Sequence, residues 1–214
     1  MSNLISISQY WSRLRDSVHP EDEQTFRRHA GHGFNLDFPP PAFIGDIANA
    51  PIIILDNNGG YEDSVTRSEF PDLEARDEYR KMLSTPRPVD PKSKWTSRYY
   101  LERNYFRWLI SGEAALVNGV AYRSVDGGAK AVARLTKELP SARFHQQWLR
   151  EKVAPMAARK ERFVVVHRWT RWNDAADVLR GLSTAIFSSA PVRPDLTRDE
   201  LAAANAFLAA RRAN

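Results

Sequence analysis

The apolar residues of this chain follow two patterns, short continuous runs and repeats at helical spacing. The runs are rich in β-branched residues and end at turn residues, a combination typical of buried strands. The first run, APIIIL, has no polar position, which predicts a strand buried on both faces. Together the runs predict four strands, at Ala50–Leu55, Ala114–Val120, Arg162–His167 and Thr184–Ser188.

Helical spacing occupies most of the chain between these runs. The clearest repeat places Leu101, Tyr105, Trp108 and Leu109 on one face of a helix. Asn35–Pro41, with three consecutive prolines, is predicted to be extended. Periodic spacing with caps and stops predicts helices at Ser6–Val18, Asp72–Leu83, Ser97–Ile110, Gly128–Leu139, Ala142–Ala154, Asp174–Leu182 and Arg198–Ala210.

The alternation of strands with helices predicts the fold class. Strands that are separated by helices form right-handed crossovers and a parallel sheet that is covered on both faces. We therefore predict an α/β fold, with three α/β/α layers around a central four-stranded parallel sheet. Binding sites in such sheets form at the carboxyl ends of the strands. The residues after Leu55, Val117, Val166 and Phe187 are accordingly the first candidates for a site.

Composition excludes several classes of protein. The 214 residues include 6 Trp, 7 Tyr and 10 Phe, too many aromatic residues for a disordered chain. The absence of cysteine excludes a disulfide scaffold, a thiolate zinc site and a cysteine-ligated iron–sulfur cluster. No apolar run approaches the roughly 18 residues that span a bilayer. The N-terminus lacks the pattern of a secretory signal, so we expect a cytoplasmic protein with no membrane partner.

The charge is distributed unevenly along the chain. Residues 1–107 contain 14 Lys and Arg against 16 Asp and Glu, whereas residues 108–214 contain 17 against 10, a net charge of +7. A basic half indicates a polyanionic partner, most often nucleic acid. Of the basic residues 24 are Arg, the side chain suited to bidentate phosphate contacts. Ordinary solvated surface charge is the alternative interpretation.

Polar residues lie within or at the ends of three of the predicted strands. Asp56-Asn57-Asn58-Gly59-Gly60 comes after the first and is predicted to be a turn, either purely structural or able to approach a ligand. Asn118 lies inside the second strand, where a buried carboxamide needs partners, and His167 ends the third. The chain has no phosphate-binding loop, no Gly-x-Ser-x-Gly elbow and no His-x-x-x-His or His-Glu-x-x-His spacing. We therefore predict neither a metal nor a cofactor.

Taken in order, four segments resemble motifs of the uracil-DNA glycosylase superfamily. They are AFIGDIANAPIIILDNNGG, LVNGVAYRS, FVVVHRWTRWNDAADVL and AIFSSAPVRPDLT, and they cover roughly residues 42–200. Three positions depart from the family pattern: Asp56 replaces a Gly, Gly59 replaces a Pro and Ala190 replaces a His. An Asn in the first motif without the last-motif His is most similar to the mismatch-specific thymine and uracil branch.

The resemblance implies a uracil-DNA glycosylase-like domain over residues 1–214. Within it, residues 1–41 form an N-terminal extension, 42–200 the core and 198–212 a C-terminal helix. It implies an N-glycosylase that flips a base out of double-stranded DNA and acts as a monomer. Either Asn58 or Asp56 would activate the water. The implied substrate-binding residues are Asn118, Tyr61, Phe70, His167, Gly59 and Gly60, and the implied DNA-binding residues are Ser189, Pro191, Arg193, Arg168 and Arg171.

Asn118 would read the edge of the base, while Tyr61 or Phe70 would stack on it. Gly59 and Ala190 remove side-chain volume beside the expected pocket. The smaller side chains favour a bulky substrate, such as hydroxymethylated or glucosylated cytosine of phage DNA. Such a substrate would indicate a role in antiviral defence. Three alternatives remain: a repair enzyme for uracil or thymine, a non-catalytic module that binds modified DNA, and an enzyme of free nucleosides.

Overall fold

A computed structural model describes residues 4–213 as a mixed α/β fold built on one six-stranded sheet. The ends of the predicted 1–214 domain, residues 1–3 and 214, lie outside the described residues. The strands are β1 (Phe34–Asn35), β2 (Phe43–Gly45), β3 (Ile52–Gly60), β4 (Ala114–Ser124), β5 (Phe163–Val166) and β6 (Ala185–Phe187).

The sheet is mostly parallel. Its strand order is β1-β4-β3-β5-β6, and β2 also pairs with β4. The strands β4, β3, β5 and β6 run parallel, whereas β1 and β2 lie antiparallel to β4. The predicted count of four strands is therefore too low for the whole sheet. The two additional strands have only two and three residues, which is too short to give a periodic signal.

Helices cover both faces of this sheet. Phe163 pairs with Ile52 and contacts Phe207, with ring centroids 5.5 Å apart. Gly119 points to the opposite face, where Arg171 and Trp172 lie against it. The helices are α1 (Ile7–Trp11), α2 (Glu23–Arg28), α3 (Asp63–Glu69), α4 (Leu73–Ser84), α5 (Arg98–Leu101), α6 (Phe106–Ser111), α7 (Lys130–Thr136), α8 (Pro140–Trp148), α9 (Ala154–Ala158) and α10 (Arg198–Ala213).

The apolar run of β3 forms the centre of the core. Ile52, Ile53, Ile54 and Leu55 are each 0% exposed, as the prediction of a strand buried on both faces requires. Both neighbours of β3 are parallel strands, so helices must cover both of its faces. No helix among residues 4–213 combines the length and apolar character needed to cross a membrane.

Two predicted helices are shorter than the sequence pattern indicates. The helix expected over Ser6–Val18 ends at Trp11 and is followed by a turn closed by a bridge between Arg15 and Val18. The helix expected over Ser97–Ile110 is divided into α5 and α6. Between them Asn104 exchanges two hydrogen bonds with the backbone of Leu196, of 2.8 and 3.1 Å, and this contact diverts the chain.

Other boundaries also differ from the predictions. Asp56–Gly60 is not a turn but the second half of β3, and β4 continues past Val120 to Ser124. Pro140 begins α8 rather than separating two helices, since proline fits the first helical turn. A π-helical segment, Leu149–Val153, joins α8 to α9. The helix expected over Asp174–Leu182 is a 3₁₀-helix at Asn173–Leu179. Helices α2 and α3 were not predicted.

A buried histidine connects α8 to β4. The indole N–H of Trp11 donates to Nε2 of His145 at 2.7 Å, so Nδ1 carries the imidazole proton and donates to the carbonyl of Asn118 at 2.6 Å. His145 is 0% exposed, and burial lowers its pKa to about 4. The neutral ring therefore holds the middle of β4 in place.

This histidine should make the fold sensitive to acid. Between pH 6.5 and about 4 the unfolded chain binds a proton that folded His145 does not, so stability falls as the pH is lowered through this window. The shift corresponds to about 3 kcal/mol at most. Urea unfolding of His145→Gln at pH 7 and pH 4.5 should show a smaller loss on acidification than the unaltered protein. Equal losses in both proteins would exclude His145 as a source of the sensitivity.

Candidate active site

Asp56 lies at the carboxyl end of the buried part of β3. It pairs in register with Asn118 of β4, and side chains paired in this way point to the same face of the sheet. Its carboxylate accepts a hydrogen bond from the backbone N–H of Asn57 at 2.7 Å and lies 3.5 Å from the Arg168 guanidinium. Asp56 is only 4% exposed, so its charge is compensated locally rather than by solvent.

Two tyrosines complete the surroundings of this carboxylate. Tyr99 of α5 is 38% exposed, and burial together with the Asp56 carboxylate raises its pKa. Tyr105, just before α6, is 1% exposed, and the same two causes raise its pKa well above the usual value. Both phenols are therefore protonated at neutral pH. We call Asp56, Arg168, Tyr99 and Tyr105 the Asp56 cluster.

Asn118 is held beside this cluster by the proline segment. Its carboxamide donates to the carbonyl of Pro41 at 2.5 Å, and its backbone N–H donates to the carbonyl of Ala42 at 3.0 Å. The side chain is 1% exposed. The predicted need of this buried carboxamide for a partner is met by the chain itself.

Asn58 lies two residues beyond Asp56 in the same strand. Its carboxamide donates to the Ser124 hydroxyl at 2.9 Å and to the Gly59 carbonyl at 3.0 Å. Gly59 does not leave free space, because a Cβ atom there would lie 2.4 Å from a ring carbon of Pro41. Of this glycine pair, Gly60 is the one that faces open space. The volume that a side chain at Gly59 would take is thus already occupied by Pro41, and Gly59 gives no support to a widened pocket.

The two aromatic residues expected to stack on a base are placed in other contacts. Phe70 is 3% exposed and packs on Phe38 and Tyr79, at ring distances of 6.0 and 5.5 Å. The Tyr61 hydroxyl donates to Asp63 at 2.5 Å. Both residues belong to an aromatic group around Phe38, whereas the exposed aromatic ring of the Asp56 cluster is that of Tyr99.

The histidine at the end of β5 joins the strand to the loop after β6. In His167 the two ring nitrogens contact Glu200 at 3.2 Å and the Arg193 carbonyl at 2.8 Å, and the residue is 1% exposed. Arg168 donates to the same carbonyl at 3.1 Å. The loop that carries Arg193 is therefore fixed to the Asp56 cluster through one backbone oxygen.

Arg171 lies on the other face of the sheet from Asp56. Its guanidinium donates to the carbonyl of Gly127, and its backbone N–H donates to the Asn57 side chain at 3.1 Å. It thus connects the loops that follow β4 and β5.

The loops after three parallel strands expose apolar side chains. Val125 after β4 is 79% exposed, Trp169 after β5 is 38% exposed and Val192 after β6 is 87% exposed. The last loop also exposes Ser189 and Arg193, while Pro191 and Ala190 are half-buried. Because the carboxyl ends of parallel strands share one edge, these loops lie at the same edge of the sheet as Asp56, and we call their exposed side chains the rim.

Two surface hollows lie away from the Asp56 cluster. One of about 260 Å³ is bordered by Trp11 and Arg80, and one of about 280 Å³ by Arg28 and Arg143. Within residues 4–213 there is no group of three or more His, Asp or Glu arranged to hold a metal ion.

The sequence indicated Asp56, Asn118 and Arg168 but missed the two tyrosines. Tyr105 was assigned to the apolar face of a helix, and its spacing gave no sign that its hydroxyl would lie near a carboxylate. Comparison with protein-family models, with curated proteins and with solved structures gives no match to this chain.

Proposed function

We propose that this chain is a DNA glycosylase that removes a modified or damaged pyrimidine from double-stranded DNA. The observation that carries the proposal is the Asp56 cluster, in which a buried carboxylate lies 3.5 Å from a guanidinium and raises the pKa of two phenols, at the edge of the sheet that carries the rim. The mostly parallel sheet with helices on both faces is compatible with the architecture that the motif resemblance implies. A carboxylate at such a position can accept a proton from a reacting water.

Asp56 is the better candidate for water activation. A carboxylate can take a proton from water, whereas a carboxamide can only orient it. The Asn58 carboxamide is also occupied by Ser124 and Gly59. In the proposed reaction Asp56 accepts the proton of a water that attacks C1′ of a flipped nucleotide, and the base leaves with the electron pair of the broken C1′–N1 bond.

The rim provides the contacts to DNA. Residues 108–214, which include all three of its loops, have a net charge of +7 and would attract the phosphate backbone. Arg193 and Val192 are both exposed. In this proposal Arg193 contacts a phosphate, and Val192 enters the space left by the flipped base. Apolar side chains at such positions unstack base steps in other DNA-binding proteins.

The class of pyrimidine stays open within this proposal. Gly59 no longer argues for a wide pocket, because Pro41 fills the adjoining space. Ala190, where the family motif has a His, still removes side-chain volume from the loop after β6. Hydroxymethylcytosine and its glucosylated form therefore remain substrates to test beside uracil and thymine. The substrate that is found also decides between a role in antiviral defence and a role in repair.

A non-catalytic module that binds modified DNA is the second candidate. It is favoured by the closed state of the cluster, since Asp56 is 4% exposed and the Asn118 carboxamide is bonded to Pro41. Such a module would bind DNA without producing abasic sites.

Alkali treatment separates the two candidates. Duplexes containing uracil, a thymine mismatch, hydroxymethylcytosine or glucosylated hydroxymethylcytosine are incubated with the protein and then heated in alkali. We expect strand cleavage at the modified position of at least one duplex, because alkali cleaves an abasic site. Binding to these duplexes with no alkali-labile site in any of them would favour the binding module.

A further inference from the structure

His167 faces hydrogen-bond acceptors at both of its ring nitrogens. Nδ1 lies 3.2 Å from a carboxylate oxygen of Glu200, and Nε2 lies 2.8 Å from the backbone carbonyl oxygen of Arg193. A carbonyl oxygen and an ionised carboxylate can only accept, so each ring nitrogen needs a proton to form its bond. A neutral imidazole carries a proton on one nitrogen alone. The two contacts together therefore require the imidazolium form.

The contacts of Glu200 show that its carboxyl group is ionised. Its second oxygen accepts a hydrogen bond from the backbone N–H of Thr197 at 2.6 Å. Burial opposes the charge, but the hydrogen bonds from His167 and Thr197 outweigh burial and lower the pKa of Glu200. The side chains of His167 and Glu200 are each 1% exposed, so their opposite charges compensate each other away from solvent.

His145 shows the opposite arrangement in the same molecule. Its Nε2 accepts from the indole N–H of Trp11, and its Nδ1 donates to the carbonyl of Asn118. One proton satisfies both contacts, so this ring is neutral. The two buried histidines thus differ in charge because their partners differ, and His145 provides an internal reference for His167.

The Arg193 carbonyl holds the middle of the loop between β6 and α10. This loop, residues 188–197, is hydrogen-bonded to the end of β5 at its start and to Asn104 near its end. Between these points, the described residues show one atom that is hydrogen-bonded to the rest of the protein. That atom is the Arg193 carbonyl oxygen, which accepts from His167 at 2.8 Å and from Arg168 at 3.1 Å.

We propose that His167 is a positioning residue whose imidazolium holds this loop in place and whose loss of one proton to solvent releases it. In the neutral ring the remaining proton stays on Nδ1, because a hydrogen bond to the charged carboxylate is the stronger of the two. The lone pair of Nε2 then faces the Arg193 carbonyl oxygen, which keeps its bond from Arg168. The loop is thus fixed at low pH and loosened as the pH rises.

The charged groups around His167 favour its second proton. They are Glu200 on α10, Arg168 next in the chain, and Asp56 on β3, which lies 3.5 Å from Arg168. Arg168 and Asp56 have opposite effects on the ring, so the carboxylate of Glu200 supplies the charge that stabilises the imidazolium. The loop carries Val192, and its release concerns the free protein. The inference therefore goes beyond the proposed function and does not depend on it.

NMR of ¹⁵N-labelled histidine side chains counts the ring protons directly. Two-bond ¹⁵N–¹H correlations distinguish an imidazolium, with two protonated nitrogens, from a neutral ring with one bare nitrogen. At about pH 6, within the range where histidine ordinarily changes its charge, we expect two protonated nitrogens in His167 and one in His145. The ring signals are assigned through bonds from each residue's own backbone. A bare nitrogen in His167 at this pH would overturn the inference.

A spin label on the loop reports its release. The chain has no cysteine, so Val192→Cys, at a position that is 87% exposed, creates one labelling site. Electron paramagnetic resonance spectra at about pH 6 and about pH 9, on either side of the usual histidine titration, should show a more mobile label at the higher pH. The matched control is Val178→Cys on the 3₁₀-helix, where the mobility should stay the same.

Two further substitutions assign the change to His167. With His167→Gln the label at position 192 should have equal mobility at both pH values, because a carboxamide does not titrate. With Glu200→Gln, which keeps an acceptor for the Thr197 N–H, the midpoint of the change should move to lower pH, since no carboxylate favours the second proton. A label at position 192 that is insensitive to pH, or an unchanged response in either variant, would contradict release by His167.

Discussion

Asp56→Asn is expected to reduce base release by about 10²- to 10⁴-fold, the usual contribution of a general base. The substitution keeps the shape of the side chain and its bond to the Asn57 backbone but removes the proton acceptor. DNA affinity should change little, because phosphate contacts dominate it. Single-turnover excision and a binding isotherm on the same duplex measure the two effects separately.

Asp195→Asn is the matched control for this variant. Asp195 lies in the loop after β6, where it accepts a hydrogen bond from the Asn104 backbone at 3.0 Å and lies 3.6 Å from Arg103. We expect it to retain activity. If Asp56→Asn retained full activity while Asn58→Ala abolished it, the role of water activation would pass to Asn58.

Val192→Ala is expected to slow excision from fully paired DNA by about tenfold or more. Flipping a base costs a few kcal/mol, and an apolar side chain that occupies the vacated space offsets part of this cost. The defect should be largely absent when the target base is mismatched, since an unpaired base is already easier to extrude. Excision rates on paired and mismatched duplexes give the comparison.

Val178→Ala is the control for Val192→Ala. Val178 is also an exposed valine, at 43%, but it lies in the 3₁₀-helix Asn173–Leu179 rather than on the rim. It should leave both rates unchanged. An equal defect of Val192→Ala on paired and mismatched DNA would argue against insertion of this side chain into the duplex.

The parallel part of the sheet could be predicted because its signal is local. Ile52–Leu55 and Phe163–Val166 are continuous apolar runs, and only strands between two covered faces need such runs. The short antiparallel strands at Phe34–Asn35 and Phe43–Gly45 could not be predicted, because pairing with β4 defines them. Their existence depends on contacts between residues far apart in sequence.

Pairing between residues far apart in sequence also explains why Asp56–Gly60 was wrongly predicted to be a turn. Asn and Gly are ordinary turn residues, so composition predicted a turn. Pairing of Asn58 and Gly60 with Val120 and Ser124, and the fit of Pro41 against Gly59, instead extend the strand. A local pattern cannot report a partner strand that begins some sixty residues later.

The candidate site was predicted in part. Asp56, Asn118 and Arg168 could be proposed because they follow or interrupt predicted strands, and the carboxyl ends of parallel strands converge. Tyr99 and Tyr105 could not, because their placement depends on the break between α5, which contains Tyr99, and α6, which follows Tyr105. That break depends on the contact of Asn104 with Leu196, which no helical periodicity indicates.

The structure of this protein bound to a duplex containing an abasic site tests the central claim most directly. We predict that the sugar of the abasic nucleotide lies outside the helix with C1′ facing the Asp56 carboxylate, and that Val192 occupies the gap in the base stack. DNA bound to another face of the molecule, or an abasic sugar that stays within the duplex away from Asp56, would contradict the account.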